Sequence, residues 1–217
     1  MLYLVATPIG NLEDITLRAL RVLKEAGFIL AEDTRKTAIL LKHFGIEKKL
    51  DSFHDHNEAG KIPQVIEALE KGETCALVSN AGTPAISDPG YKLIRACREK
   101  NLPVTALPGP SSVINAVSLT SLPHDKFVFL GYLPRKQSAS KKLLAEVKTW
   151  NITAVFFESP FRLLKSLAAI KEVFGSRKTA VAREMTKKFE ELKEGPPDEL
   201  LAYFSTRKPK GELVIIV

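Results

Sequence analysis

Three loops constrain this chain more than any other feature: Thr7-Pro8-Ile9-Gly10-Asn11, Asn80-Ala81-Gly82-Thr83-Pro84 and Pro108-Gly109-Pro110-Ser111-Ser112. Each follows a short apolar run and precedes a helical pattern. A strand, a tight Gly/Pro loop and a helix make one half of a βαβ unit, and repeating that half builds parallel sheets with helices on their faces. The runs Leu2 to Ala6, Phe28 to Ala31, Cys75 to Ser79 and Val104 to Leu107 predict strands in the first half. Leu17, Leu20 and Leu23 recur at helical spacing until Gly27, and Ile62, Val65, Ile66 and Leu69 do so until Gly72. Asp88-Pro89 predicts a cap and first helical position for a helix running towards Lys100, and Ser111 or Ser112 caps one ending near Thr120.

After a linker-like Ser121-Leu122-Pro123-His124, the alternation resumes with strands at Phe127 to Leu130, Thr153 to Phe157, Thr179 to Ala182 and Leu213 to Val217. A helix starting at Ser159-Pro160 carries Leu163, Leu164 and Leu167 and stops at Gly175. The 217 residues, 45% hydrophobic, suffice for one large core or two small ones, since domains commonly run to ~100–150 residues. We therefore expect lobes at 1–121 and 122–217. No apolar run approaches the ~20 residues that cross a bilayer, and Met1 to Ala6 reads as a first core strand, not a leader.

Loops of this design line the ligand crevice of open parallel sheets. Glycine lets the backbone approach a ligand, and helix starts offer unpaired N–H donors. A single Gly/Pro turn is commonly only a tight connection; three in one lobe point to a binding cleft. Neither G-x-G-x-x-G nor G-x-x-x-x-G-K-[ST] occurs, which sets aside ordinary dinucleotide and Walker sites. Cys75 and Cys97 have no C-x-x-C partner and suit the core of a reduced, cytoplasmic protein. A net charge of +7 and a pI near 9.3 favour an anionic partner such as nucleic acid.

Seven ordered blocks carry a resemblance over essentially the whole chain. They are residues 6–14 (ATPIGNLED), 31–35 (AEDTR), 53–58 (FHDHNE), 81–84 (AGTP), 107–110 (LPGP), 157–160 (FESP) and 182–187 (AREMTK). Together they resemble the small-subunit ribosomal RNA methyltransferases of the tetrapyrrole methylase superfamily. The resemblance implies an α/β fold of two lobes, with a mostly parallel N-terminal sheet and a mixed C-terminal sheet, that grip S-adenosylmethionine between them. It also implies methylation of a cytidine ribose 2′-hydroxyl in the decoding centre of 16S rRNA, with the rRNA or small ribosomal subunit as partner, and a homodimer. It places cofactor contacts on Pro8, Asn80, Gly82, Thr83, Ile86, Ser111, Ser112, Phe157, Glu184, Met185 and Gly211. Two departures stand out. Asn80 occupies a position where the family pattern usually reads aspartate, keeping the shape and losing the charge. The sequence also ends at Val217, where family members commonly continue into a helical extension.

Methyl transfer from a sulfonium is an in-line displacement, so positioning does much of the work, and a base or cation near a weakly acidic ribose hydroxyl helps it react. The candidates are Glu32, Asp33, Arg35, His56, Glu58, Glu158 and Arg183. Each also has a structural role open to it: Asp33 as a cap for the helix running to Phe44, Glu58 in a first helical turn, Arg183 as the ion-pair partner of Glu184. His54 and His56 alternate around Asp55 without the further ligands a metal site needs. Basic pairs at Arg35-Lys36, Lys48-Lys49, Arg135-Lys136, Lys141-Lys142, Lys187-Lys188 and Arg207-Lys208-Pro209-Lys210 are each an ordinary solvated face, or jointly a phosphate-binding surface. Tyr132 beside Arg135 is either core packing or a ring for an unpaired base. Two other readings compete: an RNA-binding paralogue that has lost turnover, and a superfamily methyltransferase with a different substrate.

Overall fold

Five short strands of the first half, β1 (Leu2–Val5), β2 (Phe28–Ala31), β3 (Leu50–Ser52), β4 (Cys75–Val78) and β5 (Val104–Leu107), pair in the order β3-β2-β4-β1-β5 in the computed structural model, which describes residues 1–207 and 209–217. Lys208 lies outside the described residues. Every pairing in this sheet is parallel. The chain moves one way across the sheet from β1 to β3, then reverses to β4 and β5. Right-handed crossovers therefore send its first two helices to one face and the next two to the other. The buried side chains follow that division. Val22 and Leu23 of α1 (Leu17–Glu25) and Leu40 and Leu41 of α2 (Thr34–His43) pack with Val5, Ile29 and Val78. Val65, Ile66 and Leu69 of α3 (Glu58–Glu70) and Leu93 and Cys97 of α4 (Tyr91–Glu99) pack with Leu2, Leu30 and Leu77 on the opposite face.

Two local expectations change. The Thr16 hydroxyl caps α1 by accepting from the Ala19 N–H at 3.0 Å, which makes Leu17 the first helical residue. Leu17 is 87% exposed, and Ala19, Val22 and Leu23 form the buried stripe. Asp88 does not cap α4. The cap is Gly90 at φ 134°, a backbone region that favours glycine, and a Cβ there would stand 2.7 Å from Leu77 Cδ2.

By its contacts the chain divides into Met1–Ser111 and Ser112–Val217. The second unit begins with α5 (Ser112–Leu119), which packs against β10 (Leu213–Ile216). Residues 121–124 are packed within this unit: Leu122 is buried, Ser121 bonds to Glu194, and Thr153 Oγ1 donates to the Pro123 carbonyl. The sheet is mixed, in the order β6-β7-β10-β8-β9, where β6 is Phe127–Tyr132, β7 Thr153–Glu158, β8 Thr179–Arg183 and β9 Glu191–Gly195. Only β6 and β7 pair in parallel; β10 runs antiparallel to β7 and β8, and β9 antiparallel to β8. Its core gathers Leu144 and Val147 of α6 (Gln137–Trp150), Leu163, Leu167 and Ile170 of α7 (Leu163–Phe174), and Leu200 and Phe204 of α8 (Pro197–Arg207) over Phe156, Val181 and Ile215. Helix α7 starts three residues after Pro160, so Leu164 falls outside the buried face at 39% exposure. Among the described residues no helix is long and apolar enough to cross a membrane.

Candidate functional site

In the first unit the three Gly/Pro loops leave the carboxyl ends of β4, β1 and β5, which are neighbours in the sheet. They are tied directly to one another. Thr7 and Gly82 exchange backbone hydrogen bonds of 3.0 and 2.9 Å, and Thr7 Oγ1 donates to the Ser79 carbonyl at 3.3 Å. Thr83 Oγ1 donates to the Pro110 carbonyl, also at 3.3 Å. Gly109 has no room for a side chain, since a Cβ would lie 2.8 Å from that of Ala6. Between Asn80 and Gly90 the loop holds Gly82, Ala85 and Ser87 at positive φ, so two non-glycine residues carry backbone strain here. Ile86 in this loop is half exposed, and Pro8 and Ser111 lie on the other two loops.

The carboxyl ends of β2 and β3 bring acidic groups to the same edge. Glu32 Oε2 accepts from the Asn80 backbone N–H at 3.4 Å. Asp88, which sequence reasoning took for a cap, is pushed up to about 6, first by burial and then by the negative charges of Glu32 and Asp55; a hydrogen bond from Ser79 offsets part of the rise. Asp33 does cap α2, accepting from the Arg35 N–H at 3.0 Å while also holding the Arg35 guanidinium, and that partner lowers its carboxyl to about 2. Arg35 is thus occupied by its own helix start. His56 is exposed, its ring 6.0 Å from that of His54. Glu58 is buried in the first turn of α3 and pairs with Lys92 of α4 at 2.7 Å. Among the described residues no group of three His, Cys, Asp or Glu is placed to hold a metal ion.

In the second unit the register brings the remaining candidates to one sheet edge, because Leu213 of β10 is paired with both Glu158 and Arg183. Glu158 is buried and saturated. It accepts from the Ser159 N–H at 2.7 Å, from Ser166 Oγ and from Arg162, whose Nε lies 3.0 Å away. Arg183 and Glu184 do not pair with each other. Arg183 binds Glu191 of β9 at 2.9 Å, whereas Glu184 takes Lys187 at 2.9 Å and the Glu212 N–H at 3.0 Å. Burial opposes ionisation of Glu184, but those donors leave its carboxyl below the ordinary value. Glu184 and Thr186 have positive φ, and a Cβ on Gly211 at φ 90° would meet Glu184 Oε1 at 2.1 Å. Only glycine fits between that carboxylate and β10. Met185 is buried, and Phe157 packs edge-on against Phe129, with ring centroids 4.8 Å apart.

Four buried side-chain polar atoms among the described residues have no hydrogen-bond partner: Asp14 Oδ2, His54 Nδ1, Asn80 Oδ1 and Thr186 Oγ1. Folded proteins satisfy nearly all such groups, so those left over mark places where something other than the fold is served. Asp14, His54 and Thr186 lie inside blocks that carried the resemblance, and Asn80 stands immediately before another. Of these, acceptors at Asp14 and Asn80 and a ring nitrogen at His54 belong to the first unit and suit a ligand rich in amino and hydroxyl groups. S-adenosylmethionine is of that kind, and the residues present fit it.

A model of the family described as Tetrapyrrole (Corrin/Porphyrin) Methylases matches residues 1–201. Over 216 residues the chain is 45% identical to the ribosomal RNA small subunit methyltransferase I of Thermotoga maritima, covering 100% of this chain and 97% of that protein. It is 48% identical over 219 residues to the protein of the same name from Escherichia coli O157:H7, covering 100% of this chain and 77% of that one. Among solved structures, diphthine synthase superposes with a TM-score of 0.78 at 16% identity, covering 100% of this chain and 88% of that one. At that identity the likeness is one of fold.

Proposed function

We infer the reaction from one premise: this chain belongs to the tetrapyrrole (corrin/porphyrin) methylases, whose methyl donor is S-adenosylmethionine. Within that family we assign it methylation of small-subunit ribosomal RNA, at the ribose 2′-hydroxyl of a cytidine in the 16S decoding centre. The observation that supports the ribosomal RNA assignment is similarity over the whole of this chain, at 45% and 48% identity, to proteins named ribosomal RNA small subunit methyltransferase I. The same reading makes the protein a cytoplasmic homodimer acting on the rRNA or the small subunit.

The cofactor, when bound, supplies an electrophilic methyl group on sulfur. Pro8, Asn80, Gly82, Thr83, Ile86 and Ser111, on the three loops of the first unit, would hold it. Their part is orientation: tight glycine turns let backbone donors come close, and Asn80 Oδ1 offers an acceptor that the fold leaves unused. The ribose hydroxyl must shed its proton as its oxygen takes the methyl group. Of the carboxylates considered, Asp33 and Glu158 have their lone pairs taken by helix-start donors and arginine, and Glu58 is held by Lys92. Glu32 keeps acceptor capacity at the loop edge, engaged by one long hydrogen bond from Asn80. It is the carboxylate we assign to receive that proton.

The test is tritiated methyl transfer from S-adenosylmethionine to small ribosomal subunits lacking the modification, followed by alkaline hydrolysis. Alkali-resistant label at one decoding-centre cytidine is the expected result, and absence of cofactor binding overturns the assignment. Glu32→Gln should lower kcat by a factor of about 10²–10⁴ while cofactor affinity, measured by calorimetry, stays within a few-fold.

A further inference from the structure

Among the surfaces not used by the assignment above, the edge of the second sheet where β6 and β7 end is the most unusual in composition. These strands are parallel, so the loop after β6 and the loop after β7 leave the same edge side by side. The loops are fastened together: Arg162 Nη2 donates to the Leu133 carbonyl at 2.5 Å, and Gln137 Nε2 donates to the Lys165 carbonyl at 3.4 Å. Tyr132 and Phe161 are the immediate neighbours of that Leu133–Arg162 pair. These two residues are 59% and 94% exposed, an arrangement that burial alone would never favour for aromatic side chains.

The two connecting segments themselves carry exposed charge of one sign. No carboxylate occurs between Asp125 and Glu146 or between Glu158 and Glu172, and Glu158, the last residue of β7, is buried and held by Arg162. Arg135 and Lys136 on the first loop and Lys165 in the first turn of α7 are all exposed. Exposed rings interleaved with cations, without acids, match the chemistry of unpaired nucleotides: π-faces for the bases and positive charge for the phosphates.

We propose that this edge is a binding surface for single-stranded RNA, on which Tyr132 and Phe161 stack unpaired bases while Arg135, Lys136 and Lys165 hold the intervening phosphates. The proposal rests on the ribosomal RNA assignment and adds to it the part of the chain that grips the substrate strand. The Tyr132 ring also lies 5.6 Å from that of Phe157, a position to which the family resemblance gives a cofactor contact.

The test uses the full chain and a labelled, unstructured oligoribonucleotide of about 12 nucleotides, with anisotropy read across a salt series. The expected result is salt-dependent binding by the parent protein. Tyr132→Leu combined with Phe161→Ala should weaken it about tenfold or more with the salt slope unchanged. Arg135→Gln combined with Lys136→Gln should reduce that slope by roughly 1–2. Unchanged affinity in the ring variant overturns the proposal, as does a ring variant whose altered oligomeric mass in sedimentation shows these rings to be a contact between copies. Methyl transfer separates the two assignments. Ring-dependent RNA binding without methyl transfer keeps this surface and removes the reaction. Methyl transfer to small subunits with an unchanged KM in the ring variant keeps the reaction and removes the surface.

Discussion

Glu194 in the second unit and Asp88 in the first are both carboxylates on loops or strand edges, and their surroundings treat them in opposite ways. Glu194 accepts from Thr120 Oγ1 at 2.6 Å, from the Ser121 N–H at 2.7 Å and from Ser121 Oγ, and pairs with Lys178 at 3.0 Å. Although burial opposes its charge, those donors hold it down to about 2. Asp88 has Ser79 for a partner and two like charges, Glu32 and Asp55, as neighbours, and is pushed up to about 6. One carboxylate is fully served by the fold and fastens the chain after α5 to β9. The other sits where strained backbone, an orphaned amide oxygen and acidic neighbours coincide. The contrast separates a charge that the fold satisfies from one that it leaves under-served.

The largest effect should come from removing the satisfied partner. Glu194→Ala leaves Thr120, Ser121 and Lys178 without their acceptor and should cost about 2 kcal/mol in urea unfolding, with little change in cofactor affinity. If stability is unaltered, the two carboxylates do not differ as described.

A smaller effect, of opposite sign, is expected at Asp88. Its raised value means that its contribution to stability is full below the ordinary carboxylate value of 3.8 and is lost as pH rises through about 6. Glu194, held low, contributes above its ordinary value of 4.5, and that contribution is lost as pH falls towards about 2. Asp88→Asn should therefore raise stability at pH 8 relative to pH 5, by about 1 kcal/mol once solvent screening is allowed for. Thermal melts of parent and variant across that range measure it.

The smallest effect sharpens the comparison. Asn80→Asp places a further carboxylate beside Glu32 and should move the Asp88 titration higher still, visible as a shifted carboxyl resonance in an NMR pH series. No shift would mean that Asp88 does not sense this loop.

Much of the fold was legible because strands buried on both faces read as continuous apolar runs; β1, β2, β4, β7, β8 and β10 are of that kind. The elements that escaped lack such runs. Strand β3 is Leu-Asp-Ser at a sheet edge, and β9 is Glu-Leu-Lys-Glu-Gly, an edge strand whose charges pair sideways with Arg183, Lys178 and Tyr203. Helix α6 opens on Gln-Ser-Ala-Ser and buries Ser140 along with Leu144 and Val147, which blurs its stripe. Asp88-Pro89 misled because the cap is decided by a tertiary contact, the closeness of Leu77 to Gly90. Site residues were legible as types in blocks, but their states were not. Spacing gives no sign that Glu158 is saturated, that Glu32 keeps free capacity, or that Asp88 titrates near 6. Those follow from which strands adjoin, and the pairings that settle it join residues far apart in sequence.

The two cysteines carry a practical consequence. Cys75 and Cys97 are wholly inaccessible, and burial raises both thiols above their ordinary value. Thiolate is the form that reacts, so neither should take up a maleimide or nitroxide while the protein is folded. A single cysteine introduced on the surface then becomes a unique attachment point without any background substitutions. Placed on each unit in turn, such labels would let fluorescence or spin-spin distances follow the two halves of the working enzyme.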